Sequence, residues 1–309
     1  MTRNELLDLF TPIYDEFTMI AAQGVEVKHP QIADVVVDPT KDWKYNAISG
    51  LGAWQAVTED SDEGLDHFVI GYEGTITPLK YRKYFYVSFE VNEQMEYAAL
   101  KSKIAKAQAL GRGAPARLEM LVASVLINGF TTAWTGDGLY LFYDSHYKNP
   151  EETGTTFDNL LSGAFSHDNL EAAEKQISAN MFDLDGLPMA PYAGRPKLVF
   201  PSALRGPVGR VLSDRATDQP GTELRNINLY SGKYDPVEMD YLGAALGGSD
   251  TAWYIIYPAL KNLKLIKNVA APQYASWIDN LKHRYYFDGW LFAEAGANDW
   301  RGLFGSTGV

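Results

Sequence analysis

Apolar residues recur at helical spacing from Asn92 to Gly129, the longest helical pattern in the sequence. Tyr97, Leu100 and Ile104 lie three and four residues apart and therefore share one face. A broader apolar face follows over residues 118–126, with Asn92 placed as an N-cap and Gly129 as a C-terminal cap. A continuous helix over this stretch would be about 50 Å long at about 1.5 Å per residue.

Two glycines and a proline interrupt this pattern. Gly111 and Gly113 weaken a helix, and Pro115 suits the first turn of a renewed one. We therefore predict a break or kink between Gly111 and Pro115.

The chain before the long helix divides into three stretches. An apolar face over residues 3–22 predicts an amphipathic helix interrupted at Pro12. Residues 24–43 are extended and irregular, and we predict an arm that lies on another surface. Residues 44–80 are rich in glycine and turn formers, and they predict a hairpin that projects from the main body. An acidic cluster fits its exposed tip: Glu59, Asp60, Asp62 and Glu63.

Short elements alternate through the rest of the chain, so the predicted class is mixed α+β. Helices are predicted at 167–180, capped by Ser166, and at 202–212. Asp137-Gly138 predicts a turn between two apolar runs, and Asp185-Gly186 predicts another. Strands are predicted near 68–72, 81–91, 197–201, 227–230, 237–242, 253–257 and within 284–304, and a polar loop at 213–225.

Composition narrows the protein class. Of 309 residues, 46% are hydrophobic and 13% aromatic, enough for a sizeable core. The absence of cysteine excludes disulfides and thiolate metal sites and fits a reducing cytoplasm, and five histidines leave little material for zinc. We expect no membrane span, because no apolar run is long enough, and no secretory signal at the N-terminus.

The net charge of −12 and the pI of about 4.9 argue against a nucleic-acid-binding protein, which would carry a basic stripe. Acidity keeps a protein soluble, and it also allows a protein to lie beside DNA without adhering to it.

Four short motifs resemble functional sites without completing one. Asp183-Leu-Asp185-Gly186 opens like a calcium loop but lacks the closing glutamate, and 111–113 lacks the lysine of a phosphate loop. Ser166-His167-Asp168 has triad residue types as sequence neighbours, which cannot form a relay. Asp144 and His146 supply two metal ligands where a site needs more. We predict no catalytic residue, no cofactor and no metal.

Three stretches of sequence, which follow one another along the chain, resemble a known family. They are NGFTTAWTGDGLYLFYDSH at 128–146, SGAFSHDNLEAA at 162–173 and DGLPMAPYAGRPKLVFPSALRGPVGRVL at 185–212. Over nearly its whole length the chain resembles major capsid proteins of tailed bacteriophages, most closely the Mu-like major head subunits. In that family a long helix ends in a Gly-Phe pair, here Gly129-Phe130, and a Leu-Val-x-Pro strand leads into a helix, here Leu198–Pro201.

The resemblance implies an N-terminal arm at 1–44, an extended loop at 45–80, a peripheral domain with a spine helix at 81–135 and 284–309, and an axial domain at 136–283. It implies a structural, non-enzymatic subunit that self-assembles through hexamers and pentamers into an icosahedral shell around double-stranded DNA. Arm and loop would then bury themselves on neighbouring subunits, and the break at Gly111–Pro115 would be either a static kink or a bend that varies with curvature. The implied location is the virion capsid, assembled in the host bacterial cytoplasm.

Further expectations follow from the resemblance. Because the chain begins almost at once with an arm-like helix, we expect a separate scaffolding protein, together with a portal and, in some relatives, a decoration protein. Removing residues 1–43 is expected to leave soluble subunits that do not assemble. Two alternatives stay open: an encapsulin-type compartment with an enzyme cargo, and an acidic, aromatic-rich glycosidase.

Overall fold

A computed structural model describes residues 3–48, 70–90, 97–133, 136–151, 154–213 and 228–309. Several predicted features lie outside these residues: the helix cap at Asn92, the acidic cluster at 59–63 and nearly all of the polar loop at 213–225.

Helices and strands alternate in a mixed α+β fold, as predicted. The helices are α1 (Arg3–Gln23), α2 (Tyr97–Asn128), α3 (His167–Asn180) and α4 (Arg205–Val211). The strands are β1 (Asp34–Val37), β2 (Trp43–Ile48), β3 (Ile70–Ile76), β4 (Leu79–Ser88), β5 (His146–Tyr147), β6 (Thr156–Phe157), β7 (Leu160–Leu161), β8 (Lys197–Phe200), β9 (Asp235–Glu238), β10 (Trp253–Ile256), β11 (Leu263–Lys267), β12 (Gln273–Asp279), β13 (Arg284–Ala297) and β14 (Leu303–Ser306).

The first sheet is built around the long strand β13. β4 pairs antiparallel along one edge of it, from Ser88 opposite Arg284 to Leu79 opposite Ala293. β12 and then β11 pair along the other edge, and β1 adds to β11 in parallel. Side chains alternate across β4, so that Val87 is buried beneath the sheet while its neighbour Tyr86 is exposed above it.

The second sheet has the strand order β7-β14-β10-β8-β9. Its four-residue strand β10 is buried along its whole length, as expected for a central strand with both faces covered. Helices α3 and α4 supply apolar side chains to the core on this sheet, among them Leu170, Ile177 and Val208.

Helix α2 joins the two sheets. Its C-terminal half buries the apolar face that the sequence predicts: Leu118, Leu121, Val122, Val125 and Leu126. One apolar cluster contains this face together with Leu265 and Ala293 of the first sheet and Val199 and Tyr254 of the second. The spine therefore packs against both sheets.

The predicted break in the spine is wrong, whereas the alternative, a kink within a continuous helix, stays a prediction. α2 is one 32-residue helix that passes through Gly111, Gly113 and Pro115. Gly111 is required for a different reason, because a Cβ there would lie 2.0 Å from the carbonyl oxygen of Thr18 in α1. The interruption predicted at Pro12 is also absent, since α1 runs continuously through it. Packing of α1 on α2 outweighs these local preferences.

The N-terminal segment packs on its own chain, contrary to the prediction for residues 24–43. Ile32 is 1% exposed and lies in the central apolar cluster, and β1 is a strand of the first sheet. Tyr14 of α1 packs on Phe287 with ring centroids 4.4 Å apart. Removing residues 1–43 would therefore expose a core, so that loss of assembly in that truncation would not isolate a role in subunit contacts.

Three local predictions have different outcomes: a helix cap, a turn and a strand. Ser166 caps α3 by accepting a hydrogen bond from the backbone NH of Asn169 at 3.2 Å. The turn at Asp137-Gly138 is present, but it carries a single bridge between Ala133 and Tyr140 in place of two paired strands. The strand predicted at 227–230 is a turn over its described residues, because Asn228 accepts from Tyr230 NH and donates to the carbonyl oxygen of Val211.

The predicted strand at 237–242 ends at Glu238 and continues as a short 3-10 turn at Asp240–Leu242. The domain boundaries drawn from the sequence do not follow the sheets. β11 and β12 fall within the predicted axial segment 136–283 but pair with β13, whereas β14 falls in the predicted peripheral tail but pairs with β10. Long-range strand pairing, which no local pattern encodes, produces this difference.

Candidate assembly surfaces

A buried polar pair joins the turn at Asp137-Gly138 to strand β5. His146 is fully buried, and its Nδ1 lies 2.6 Å from Oδ2 of Asp137. The imidazole stacks on Trp300 with ring centroids 4.7 Å apart and planes 9° apart. Beside it, the Nδ2 of buried Asn159 donates to the carbonyl oxygens of Leu141 and Leu303. Asp137 and His146, which both belong to the stretch 128–146 that carries the resemblance, thus have a structural role. Buried polar groups whose hydrogen bonds are satisfied favour one arrangement of the core.

A second buried carboxylate anchors the N-terminal segment. Glu119 lies in the C-terminal half of the spine and is 3% exposed. Its carboxylate accepts from the backbone NH of Lys28 and from the backbone NH of His29 at 2.9 Å, and it pairs with His29 Nδ1 at 2.8 Å. Burial acts to raise the pKa of Glu119, but the hydrogen bonds from His29 and Lys28 outweigh it, so that the pKa lies below its ordinary value. This anchor sets where the chain passes from α1 into β1.

The hairpin formed by β2 and β3 leaves the body beside the end of β13. Trp43 pairs with Ile76 at its base and Ile48 pairs with Ile70 at the far end of the described part. Tyr45 donates a hydrogen bond to the carbonyl oxygen of Ala297 at 3.1 Å, and burial raises the pKa of this tyrosine to about 12, so it stays a donor. The hairpin is therefore attached to the first sheet near its base, and its projection from the main body stays a prediction.

The outer side of the first sheet carries an aromatic and cationic surface, which we call the aromatic face: Arg82, Tyr84, Tyr86, Trp277, Arg284 and Tyr286. Tyr286 lies at its centre, stacked on Trp277 with centroids 5.1 Å apart and planes 6° apart. The guanidinium of Arg284 lies 4.0 Å from the ring of Tyr86. Tyr84 is 58% exposed and Tyr86 42% exposed. Exposed aromatic residues with arginine are the composition found at the centres of protein interfaces.

Large apolar side chains are also exposed elsewhere. Leu281 is 94% exposed and Leu229 is 82% exposed. Met19 and Ile20 of α1 are each more than half exposed. Exposed apolar side chains at several separate places are typical of a protein that contacts more than one partner.

The structure brings no predicted motif into a catalytic arrangement. Ser166 serves as a helix cap, and Asp183 accepts from the backbone NH groups of Asp185 and Leu187 as a turn former. Within the described residues, no group of three or more His, Asp or Glu side chains is placed to hold a metal ion. No helix in the same part of the chain is long and apolar enough to cross a bilayer.

Sequence reasoning missed the aromatic face. The alternation of residues 80–88 was the available signal, since every second residue of a strand shares one side. The signal was incomplete because Tyr286 and Trp277 reach the same surface only through pairing of β4, β13 and β12.

The chain shares its fold with capsid proteins of tailed bacteriophages. A subunit of the procapsid of bacteriophage JBD30 aligns over 99% of this chain and 76% of its own, at 16% identity and a TM-score of 0.53. The capsid of Ralstonia phage GP4 aligns over 89% and 86%, at 12% identity and a TM-score of 0.56. The virus-like particle of Pyrococcus furiosus aligns over 95% and 97%, at 9% identity and a TM-score of 0.51. Neither a protein-family model nor a curated protein sequence matches the chain.

These matches confirm the tailed-phage capsid fold inferred from the resemblance. The Mu-like subgroup stays a prediction. With identities of 16% or less, the matches concern the path of the backbone and not the identity of surface residues.

Proposed function

We propose that the chain is the structural subunit of an icosahedral shell that encloses the genome of a tailed bacteriophage. The observation that carries this proposal is the alignment of nearly the entire chain with capsid subunits, at TM-scores of 0.53 to 0.56. Such a subunit acts by self-association and needs no catalytic group. The glycosidase alternative gains no support from these relatives.

The surface of the subunit supports multivalent assembly. The aromatic face, the projecting β2–β3 hairpin and the exposed apolar residues of α1 are separate surfaces that different neighbours can cover. Contacts that are weak individually suffice, because closure of a shell makes each further contact intramolecular. We propose that the first sheet with α2 forms the peripheral domain and the second sheet with α3 and α4 the axial domain.

The proposed partners are further copies of the chain in hexamers and pentamers, with a scaffolding protein and a portal during assembly and a decoration protein outside. The proposed location is the virion capsid. The net charge of −12 supports a wall that holds double-stranded DNA without binding it specifically. A strongly basic inner wall in an assembled shell would contradict this part of the proposal.

An encapsulin-type compartment with an enzyme cargo is the second candidate; the virus-like particle of Pyrococcus furiosus shares the fold at a TM-score of 0.51, which supports it no better than the phage capsid. The contents of the shell separate the two functions. Particles purified from the native source with nuclease-protected DNA would support the phage capsid, whereas particles filled with a protein cargo would support the compartment.

Sedimentation of the purified full-length chain tests the shared part of both candidates. We expect a homogeneous species in the megadalton range, either from the chain alone or after co-expression with a scaffolding protein. A stable monomer or dimer under both conditions would contradict shell assembly.

A further inference from the structure

β4 forms one edge of the first sheet. It is ten residues long, Leu79–Ser88, and among the described strands it pairs only with β13. In an antiparallel pair, every second residue directs its NH and carbonyl groups away from the partner strand. The free edge of β4 therefore presents a row of backbone donors and acceptors to which another extended chain can pair.

An open cleft of about 420 Å³ lies along this edge. Its lining consists of Lys106 of α2 and three consecutive residues of β4: Tyr84, Phe85 and Tyr86. Because consecutive residues of a strand lie on opposite sides of the sheet, a cleft that touches all three lies at the edge of the strand. α2 borders the cleft because its buried Ala107 packs in one apolar cluster with Phe85.

The two elements that border the cleft are basic in an otherwise acidic chain. β4 contains three lysine or arginine residues and residues 97–117 of α2 contain five, while neither stretch contains an aspartate or a glutamate. Arg82 is neutralised by Asp288. Lys83 and Lys106, in contrast, are exposed, and no ion pair joins either of them to another described residue. In a chain with a net charge of −12, this edge therefore attracts an acidic partner.

A second copy of β4 does not suit the free edge. Pairing of two copies would place Lys80, Arg82 and Lys83 of both chains on neighbouring strands. Like charges on paired strands are destabilising, and lysine on an edge strand is a common means of preventing such pairing. The charges thus favour a strand of different sequence.

The two sides of β4 differ in what they offer to an added strand. Lys83 lies on the same side of β4 as Val87, beneath the sheet, where Lys106 of α2 borders the cleft. Tyr84 and Tyr86 lie on the other side and are 58% and 42% exposed. An added strand therefore meets cations on one side and aromatic rings on the other.

We propose that the free edge of β4 binds an extended peptide segment of a separate partner protein, in which acidic and apolar residues alternate. The segment adds a strand to the first sheet by pairing its backbone with β4. Its carboxylates face Lys83 and Lys106, and its apolar side chains contact Tyr84 and Tyr86. This peptide site belongs to a single subunit, so it goes beyond the proposed function in shell assembly.

Calorimetric titration of the dissociated full-length chain with the blocked peptide acetyl-Thr-Val-Glu-Val-Glu-Val-Thr-amide tests the site. The glutamates of this peptide share one side of an extended chain, and its valines share the other. We expect saturable binding below about 1 mM. The same peptide with lysine in place of both glutamates is expected to bind at least about fivefold more weakly, because attraction to the two lysines becomes repulsion.

Backbone pairing is tested separately with two N-methylated forms of the acidic peptide. One form is methylated at the valine nitrogens and the other at the glutamate nitrogens, so each loses the donors along one edge of the added strand. Strand addition predicts that one form binds at least about tenfold more weakly than the parent peptide, while the other binds within about threefold of it. If both forms bind as tightly as the parent, no strand is added and the proposal is overturned.

A charge reversal on α2 tests the position of the peptide. Lys106→Glu reverses the charge in the cleft, and Arg112→Glu is the matched control, since Arg112 is exposed on the same helix and does not line the cleft. Because both side chains are exposed, both variants are expected to fold, which thermal melts check. We expect Lys106→Glu to weaken binding of the acidic peptide at least about fivefold and to strengthen binding of the lysine peptide, while Arg112→Glu changes either by less than about twofold.

Two further results would refute the site. One is the absence of saturable binding of the acidic peptide up to about 1 mM. The other is an equal loss in Lys106→Glu and Arg112→Glu, because it would indicate attraction to the overall charge of the helix. These titrations are independent of whether particles form, so they can fail while the proposed shell function stands.

Discussion

A Cβ added at Gly111 would lie 2.0 Å from the carbonyl oxygen of Thr18 and 2.8 Å from its carbonyl carbon. The opposing atoms are backbone, held where α1 crosses α2 by a hydrogen bond from Thr18 Oγ1 to the carbonyl oxygen of Ala107 at 3.2 Å. Gly111→Ala must therefore separate the two helices. Gly113 lies two residues further along the same helix, and a Cβ there meets nothing within 4 Å. This pair provides a controlled comparison of one substitution in two surroundings.

The expected magnitudes have opposite signs. Replacing a helical glycine by alanine stabilises by about 1 kcal/mol, and Gly113→Ala should show this gain. Overpacking costs about 1–3 kcal/mol, and contact with backbone places Gly111→Ala at the upper end of that range. After the propensity gain is subtracted, we expect net destabilisation of about 1–2 kcal/mol. The two variants should thus differ by about 2–3 kcal/mol.

Urea unfolding of the dissociated subunit, followed by far-ultraviolet circular dichroism, measures both free energies of unfolding. The midpoints should move in opposite directions with similar slopes, since little surface changes. If both variants stabilise the subunit by similar amounts, α1 does not approach α2 at Gly111. The glycines would then be better explained by the break that the sequence alone predicts.

Three further substitutions test the buried contacts. Glu119→Gln should lower the free energy of unfolding by about 1–3 kcal/mol at neutral pH, because the side chain that accepts from Lys28 and His29 loses its negative charge. Since the pKa of Glu119 is lowered on folding, its contribution is present above the unfolded pKa of about 4.3 and is lost as pH falls through the folded pKa. Unfolding measured against pH should accordingly show a smaller difference between wild type and Glu119→Gln in acid, and a constant difference would contradict the assigned role. Phe142→Ala, at a residue 1% exposed, should destabilise by about 3–5 kcal/mol in the same urea assay; a loss under 1 kcal/mol would contradict its burial. His146→Phe should preserve the stack on Trp300 but lower stability by about 3 kcal/mol, because Oδ2 of the buried Asp137 carboxylate loses its contact with the imidazole nitrogen; an unchanged midpoint would contradict the pair.

Local chemistry made part of the fold predictable. Ser166 marks the start of α3 because its side chain satisfies a backbone NH of the first turn, whatever lies elsewhere in the chain. The strand at Lys197–Phe200 follows in the same way from a short apolar run closed by Pro201.

Contacts between distant segments could not be read from the sequence. β1 pairs with β11 and β4 pairs with β13, in each case some two hundred residues apart, so the arm was assigned to a neighbour and the domain boundaries cut across the sheets. Gly111 illustrates the same limit. From the sequence alone, a glycine within a helix indicates lower helix stability. Only the position of α1 shows that a side chain at Gly111 has no room.

The candidate surfaces also differ in whether the sequence alone predicts them. A hairpin within residues 44–80 was predictable because turn formers and alternating residues are local signals, although its first strand, β2, was not among the predicted strands. The aromatic face was not predictable, because it combines side chains of β4, β12 and β13, and β4 is far from the other two strands in sequence.

Electron cryo-microscopy of particles formed by the full-length chain, with its scaffolding protein if one is required, tests the central claim most directly. We expect closed icosahedral shells of hexamers and pentamers, with the continuous spine helix α2 in every subunit and the aromatic face covered by a neighbour. A chain that stays monomeric or dimeric under all these conditions, with the first sheet open to solvent, would contradict it.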